Sequence, residues 1–175
     1  TMLVAALAAA STLQAQATPA SKPATPPATV NAPAPVGPEG WAGRVDRNRD
    51  GSNIKFTTMG SGLHFTTGNS ATWYRKGEPV DGLYEVSATF VQTKAPAHPE
   101  SYGLMVFGRE METPTQNYVY FMVRGDGKWS LKHRANDTEV HTIQDWTEHA
   151  AIVKQDSAGK AKNALAVAVG ADSVR

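Results

Sequence analysis

Asn117-Tyr-Val-Tyr-Phe-Met-Val-Arg124, Gly125-Asp-Gly127 and Lys128-Trp-Ser-Leu-Lys-His-Arg134 follow one another without a break. The first run is β-branched and aromatic at both parities, the composition of a strand covered on two sides. The last run alternates, with Trp129, Leu131 and His133 at one parity and Lys128, Ser130, Lys132 and Arg134 at the other. The glycines flanking Asp126 offer the positive-φ positions that a tight hairpin uses. The stretch therefore predicts the central hairpin of an antiparallel β-domain.

Further strands are expected over 53–58, 62–67, 71–75, 82–93, 102–108, 139–143 and 164–169. Turn-forming clusters separate them, among them Met59-Gly60-Ser61-Gly62, Lys76-Gly77-Glu78-Pro79 and Ala95-Pro96-Ala97-His98-Pro99. Tyr84, Val86, Ala88 and Phe90 make one apolar face against Glu85, Ser87 and Thr89. Helical periodicity is nearly absent, and only a turn is expected at 145–151. Many short strands at regular spacing predict an all-β, antiparallel two-sheet sandwich of the jelly-roll kind over 39–175. Leu165, Val167 and Val169 announce a last strand, and Ala171-Asp-Ser-Val-Arg175 reads as a turn into a partner that the sequence does not contain. A C-terminal truncation is the expectation.

The N-terminal part is of another kind. Met2 to Ala10 is apolar and too short to span a bilayer unaided. Ala15 and Ala17 fit a signal-peptidase site, so 1–17 reads as a signal peptide, partial because a basic n-region is missing. Residues 18–38 are Pro, Ala, Thr and Ser for the most part and should form an extended tether. Export to the periplasm, cell surface or exterior is expected, with no transmembrane anchor after cleavage. The 17 Lys and Arg against 16 Asp and Glu leave a net charge of +1, which gives no footprint for nucleic acid. Cys is absent, which removes disulfides, thiolate metal sites and a Cys nucleophile.

Tyr102-Gly-Leu-Met-Val-Phe-Gly108, then Tyr118-Val-Tyr-Phe-Met-Val-Arg-Gly-Asp-Gly-Lys-Trp129, then Leu131-Lys-His-Arg134 resemble secreted bacterial domains of the concanavalin A-like lectin/glucanase superfamily. The likeness extends to those related to 3-keto-disaccharide hydrolases, and Asn163-Ala-Leu-Ala-Val167 is similar to the strand near the end of such domains. The resemblance implies a jelly roll with a sugar-related role; it is an analogy of fold and does not supply a site. The Glu-x-Asp-x-x-Glu strand of laminarinase-like members is missing. Catalysis by two carboxylates needs both to meet one sugar, one protonated and one ionised. Glu110 and Glu112, on a loop, are the one close pair and the catalytic candidates.

Asp46-Arg-Asn48-Arg-Asp50-Gly51 matches the opening of a Ca²⁺ loop. Position twelve is Thr57 where the bidentate Glu should be, and two arginines sit inside. Asp46, Asn48 and Asp50 are thus metal candidates beside the simpler reading of an Asx-rich turn, and no cofactor is otherwise implied. Arg124-Gly-Asp126 spells an adhesion tripeptide that the hairpin already explains. The five histidines form no zinc motif. Sugars stack their CH faces on aromatic rings and offer hydroxyls to charged side chains. That chemistry nominates Trp73, Tyr102, Tyr120, Arg124, Trp129, Lys132, His133 and Arg134 as ligand-binding candidates. Three functions remain open: a carbohydrate-binding domain, a hydrolase of a sugar derivative such as a 3-keto-glycoside, and a non-catalytic envelope interaction module.

Overall fold

The computed structural model describes residues 37–66, 68–77 and 80–175, so the expected signal peptide and most of the tether lie outside the described residues. Among these residues the chain is all-β, with four antiparallel sheets. The largest is a meander of β6 (Ser101–Arg109), β7 (Asn117–Arg124), β8 (Lys128–Arg134) and β9 (Val140–Glu148). A second layer pairs β5 (Tyr84–Gln92) with β10 (Ala161–Val169). Two ribbons complete the fold, β1 (Trp41–Val45) with β4 (Ala71–Arg75), and β2 (Lys55–Met59) with β3 (Gly62–Thr66).

Alternation decides how the two layers meet. In β10 every odd residue from Ala161 to Val169 is buried, while Lys162, Ala164 and Ala166 are exposed. The register sets Leu165 opposite Ala88 and Val167 opposite Val86, so the apolar parities of β5 and β10 share one face. That face packs on Leu104, Val106 and Val123 of the meander. Burying each such aliphatic side chain is worth about 1.5–3 kcal/mol, so a one-residue slip would forfeit the core. These pairings establish an antiparallel sandwich; the finer jelly-roll expectation is carried by the resemblance.

The central hairpin forms as expected, with β7 and β8 in the interior of the meander. Its turn differs in one respect. Only Gly127 takes a positive φ, +85°, and its N–H donates to the Arg124 carbonyl at 3.1 Å. At Gly125 a Cβ would lie 2.5 Å from Gln155 Oε1, so a larger residue there would push aside the end of that flexible side chain.

Most boundaries shift by one or two residues, and three departures from the sequence reading are larger. β1 was not foreseen, since Ala42 and Gly43 are poor strand formers that rely on β4 for pairing. β9 runs to Glu148 through the expected turn, because bulges opposite Trp129–Lys132 absorb the irregularity. β10 begins at Ala161, not at 164. Beyond it the Gly170 N–H donates to Ser173 O at 2.7 Å and Val174 bridges to Val169, the turn expected there.

The β1–β4 ribbon sits at one end of the meander. Arg44 donates to Met111 O at 3.1 Å and pairs with Asp137, and the Thr72 and Tyr118 hydroxyls are 3.0 Å apart. The Arg124 end of β7 lies away from this ribbon.

Candidate functional site

Cross-strand register sorts the candidate side chains into two sets. Val119 faces His133, Phe121 faces Leu131 and Val123 faces Trp129 across β7 and β8. Because Val119, Phe121, Val123 and Trp129 pack into the sandwich core, His133 is on the inner face with them. Trp129 lies 5.9 Å from Phe121, centroid to centroid, and His133 Nε2 is 3.1 Å from Asn117 Oδ1. Tyr102 is also inward, 5.1 Å from the Phe90 ring, its hydroxyl accepting from buried Asn163 at 3.0 Å. The outer face carries Tyr120 opposite Lys132, Tyr118 opposite Arg134, and Arg124 on the same parity.

On that outer face stands a residue the sequence reading missed. Trp146 of β9 is half-buried, with the Arg124 guanidinium 4.5 Å and the Lys132 ammonium 5.9 Å from its ring. Such contacts are worth about 0.5–1 kcal/mol at exposed sites and more when desolvated. Arg124 is anchored from its other side by Asp126, which accepts from Nε at 3.1 Å and from Nη2. The bonded fork raises the Arg124 pKa and holds the Asp126 carboxyl below its ordinary range. Both charged ends of the adhesion-like tripeptide are thereby engaged with each other. Tyr120, with its ring 5.4 Å from that of Tyr118, extends the face, and burial raises its phenol pKa. The signal for Trp146 was the composition of 140–148, where threonine, isoleucine and tryptophan continue a strand past Asp145.

Farther along the same face Arg134 has a structural setting. Its side chain is only 7% exposed. It donates from Nε to Tyr118 Oη at 3.0 Å and from Nη2 to Asp46 Oδ2 at 2.8 Å. Both pKa values rise, which disfavours charge on the carboxyl and favours it on the guanidinium. Burial pushes Asp46 up despite the pull of Arg134; Arg134, which burial also opposes, is raised by Tyr118 and Asp46. Arginine keeps its proton throughout, so the burden of the pair falls on the carboxylate. Beside it opens a polar cleft of about 280 Å³ between the Asp46–Asn48 turn and the β8–β9 connection. Arg47 and Arg49 line it together with Ser70 and Thr138. Arg47 holds φ +58°, a left-handed conformation costing an L-residue with a side chain about 1–2 kcal/mol.

The remaining candidates lie apart. Trp73 belongs to β4, where its ring meets Phe56 at 4.1 Å, and Phe56 meets Phe65 at 4.4 Å. Glu110 and Glu112 are exposed on the loop at the Asn117 end of β7, and Lys76 pairs with Glu112. In the Ca²⁺-like segment Asp50 accepts from the Ser52 N–H at 2.8 Å and hydroxyl at 2.7 Å, an Asx turn. Asp46 is committed to Arg134, and the Asn48 side chain is outside the description. Among the described residues no group of three His, Cys, Asp or Glu side chains is placed to hold a metal ion, and no helix is long and apolar enough to cross a membrane.

Comparison of the chain with protein-family models, with curated proteins and with solved structures returns no match. The likeness to the concanavalin A-like superfamily therefore rests on the residues quoted for it alone.

Proposed function

We propose that this is an exported domain that binds carbohydrate on the outer face of the β6–β9 meander, built around Trp146, Arg124, Lys132 and Tyr120. One observation carries the proposal: a half-buried indole on an open strand face with two cationic side chains against its ring. The cations hold the ring in place and keep donors beside it, the combination of apolar platform and hydroxyl-binding groups that a sugar requires. Lys132 has three donors on a flexible stem, and Arg124 retains Nη1 beyond its bonds to Asp126. The apolar leader and Pro-rich tether support export, and the superfamily resemblance supports both a jelly roll and a sugar ligand.

Hydrolysis would require Glu110 and Glu112 to meet a sugar together. Glu112 is instead held by Lys76, at the end of β7 opposite Arg124. The test is a polysaccharide panel with binding measured by affinity electrophoresis and calorimetry. A ligand retained by the native chain and lost at least tenfold in Trp146→Ala, with circular dichroism unchanged, is the expected result. Full retention by that variant overturns the proposal.

A further inference from the structure

We propose that the glycan is acidic, and that the cleft beside Arg134 receives its anionic substituent, a carboxylate or a sulfate. The inference rests on the carbohydrate reading above and specifies its ligand.

Charge pairing in the cleft supplies the reason. Of the acidic groups that line it, Asp46 is bonded to Arg134, and Asp137 accepts from Arg44 and from Gln116. Both carboxylates are thus occupied by partners of their own. Arg47 and Arg49 also line the cleft and are exposed; neither is in an ion pair among the described residues, and Arg47 acts on Asp46 through its charge, more weakly than Arg134. Two guanidinium groups beside a polar cavity, with the Ser70 and Thr138 residues at its wall, leave an unbalanced positive site. A planar guanidinium fork matches carboxylate and sulfate oxygens better than it matches a neutral hydroxyl. The left-handed backbone at Arg47 keeps this side chain at the cleft in a conformation its residue type disfavours.

Position on the sheet links this cleft to the indole. Lys132 and Arg134 are two residues apart on β8, so they share the outer face at roughly 7 Å along the strand. Lys132, 5.9 Å from the Trp146 ring and next to Arg134 on this face, links the indole side to the cleft side on a chain whose net charge is only +1. Attraction for a polyanion would therefore be local to this face and not a property of the whole molecule.

The full chain is titrated with polygalacturonate, dextran sulfate and uncharged dextran. Variants are Arg47→Asn with Arg49→Gln, Trp146→Ala, and Lys162→Gln on the far side of the sandwich as a charge control. Asn accepts the left-handed conformation, so the double variant removes charge and keeps the backbone. We expect at least one anionic polymer to bind tenfold or more tightly than dextran, with affinity falling as salt is raised. The double variant should lose at least tenfold on that polymer, and Lys162→Gln should lose less than twofold. Preference for polygalacturonate assigns a carboxylate; preference for dextran sulfate assigns a sulfate. Equal binding of dextran and the polyanions, or wild-type affinity in the double variant, overturns the acidic assignment while leaving carbohydrate binding standing. Binding of no polysaccharide by the native chain overturns both.

Discussion

Arg134 Nη2 donates to Asp46 Oδ2 at 2.8 Å, joining residues 88 positions apart in the chain. The contact ties the turn after β1 to the end of β8. Since Arg134 is 7% exposed and Asp46 30%, removing the carboxylate strands a cation in a largely dry setting. Breaking a fully buried pair costs about 3–5 kcal/mol. With Asp46 partly exposed and Tyr118 still bonded to Arg134, Asp46→Ala should cost about 2–3 kcal/mol, below the fully buried range. Combining it with Arg134→Met should recover most of the loss. Urea unfolding midpoints of the single and double variants test the pair, and a single-variant loss below about 1 kcal/mol would refute it.

Trp129 and Trp146 stand on opposite faces of one sheet and should separate cleanly. Trp129 packs against Phe121 in the core, and Trp→Ala at core sites costs about 3–5 kcal/mol. Trp129 is half-buried, so Trp129→Ala should fall near the lower end, with a visible drop in Tm. Trp146→Ala should leave Tm within a few degrees and remove ligand binding. Thermal melts run beside the binding assay would read both.

Asn163 is 2% exposed in the middle of the apolar parity of β10. Its amide donates to Tyr102 Oη at 3.0 Å and Val153 O at 3.3 Å, and accepts from the Val153 N–H at 2.8 Å. It pins the β9–β10 connection to the core. Asn163→Ala leaves buried groups without partners at about 1–3 kcal/mol each, and the Val153 amide should lose its protection in hydrogen exchange. Unchanged protection there would exclude this tethering role.

Gly159 has φ +76°, and a Cβ there would lie 1.9 Å from the Ala95 nitrogen. Gly159→Ala combines the left-handed penalty of about 1–2 kcal/mol with a clash against backbone of about 1–3 kcal/mol. A denaturation midpoint equal to that of the native chain would contradict the close approach.

Acid should loosen the hairpin tip. Asp126 is lowered by its bonds from Arg124, and Glu148 by its bond from Lys154. A depressed carboxyl stabilises the fold above its unfolded pKa, and the contribution is lost as pH falls through the folded value. Asp46 acts in the opposite direction, because burial raises its pKa and acid relieves the cost of its charge. Urea midpoints should fall below the ordinary carboxylate range, and the slope should flatten in Asp126→Asn with Glu148→Gln. An unchanged slope in that variant would contradict the assignment.

Much of the architecture was legible from local pattern. Alternation in 84–90 and 128–134 reports which residues share a face, since that depends only on strand geometry. Which face turns inward depends on the partner sheet, and so Trp129 and His133 could not be told from Lys132 and Arg134 by sequence. Arg134 resembled a solvated strand residue because its cover, Asp46, arrives from a distant turn. Trp146 was hidden by Asp145, whose turn preference is overridden by bulges and by pairing with β8. The pairing of Asp46 with Arg134, 88 residues apart, leaves no mark in a local window.

The tip at Gly125–Gly127 has a practical consequence for labelling and grafting. Its two glycine carbonyls accept from the Gln155 N–H at 2.8 Å and the His149 N–H at 3.2 Å. A Cβ at Gly127 would meet the Lys154 side chain at 2.6 Å. A dye, epitope or new chain terminus inserted there would unseat the whole 149–155 connection. The Gly60–Ser61 turn between β2 and β3 is exposed; Gly60 holds φ +60° and must stay glycine, but nothing lies within 4 Å of a Cβ there, so a graft after Ser61 meets open space. That turn, not the tripeptide, is where the molecule can be extended without disturbing the sandwich.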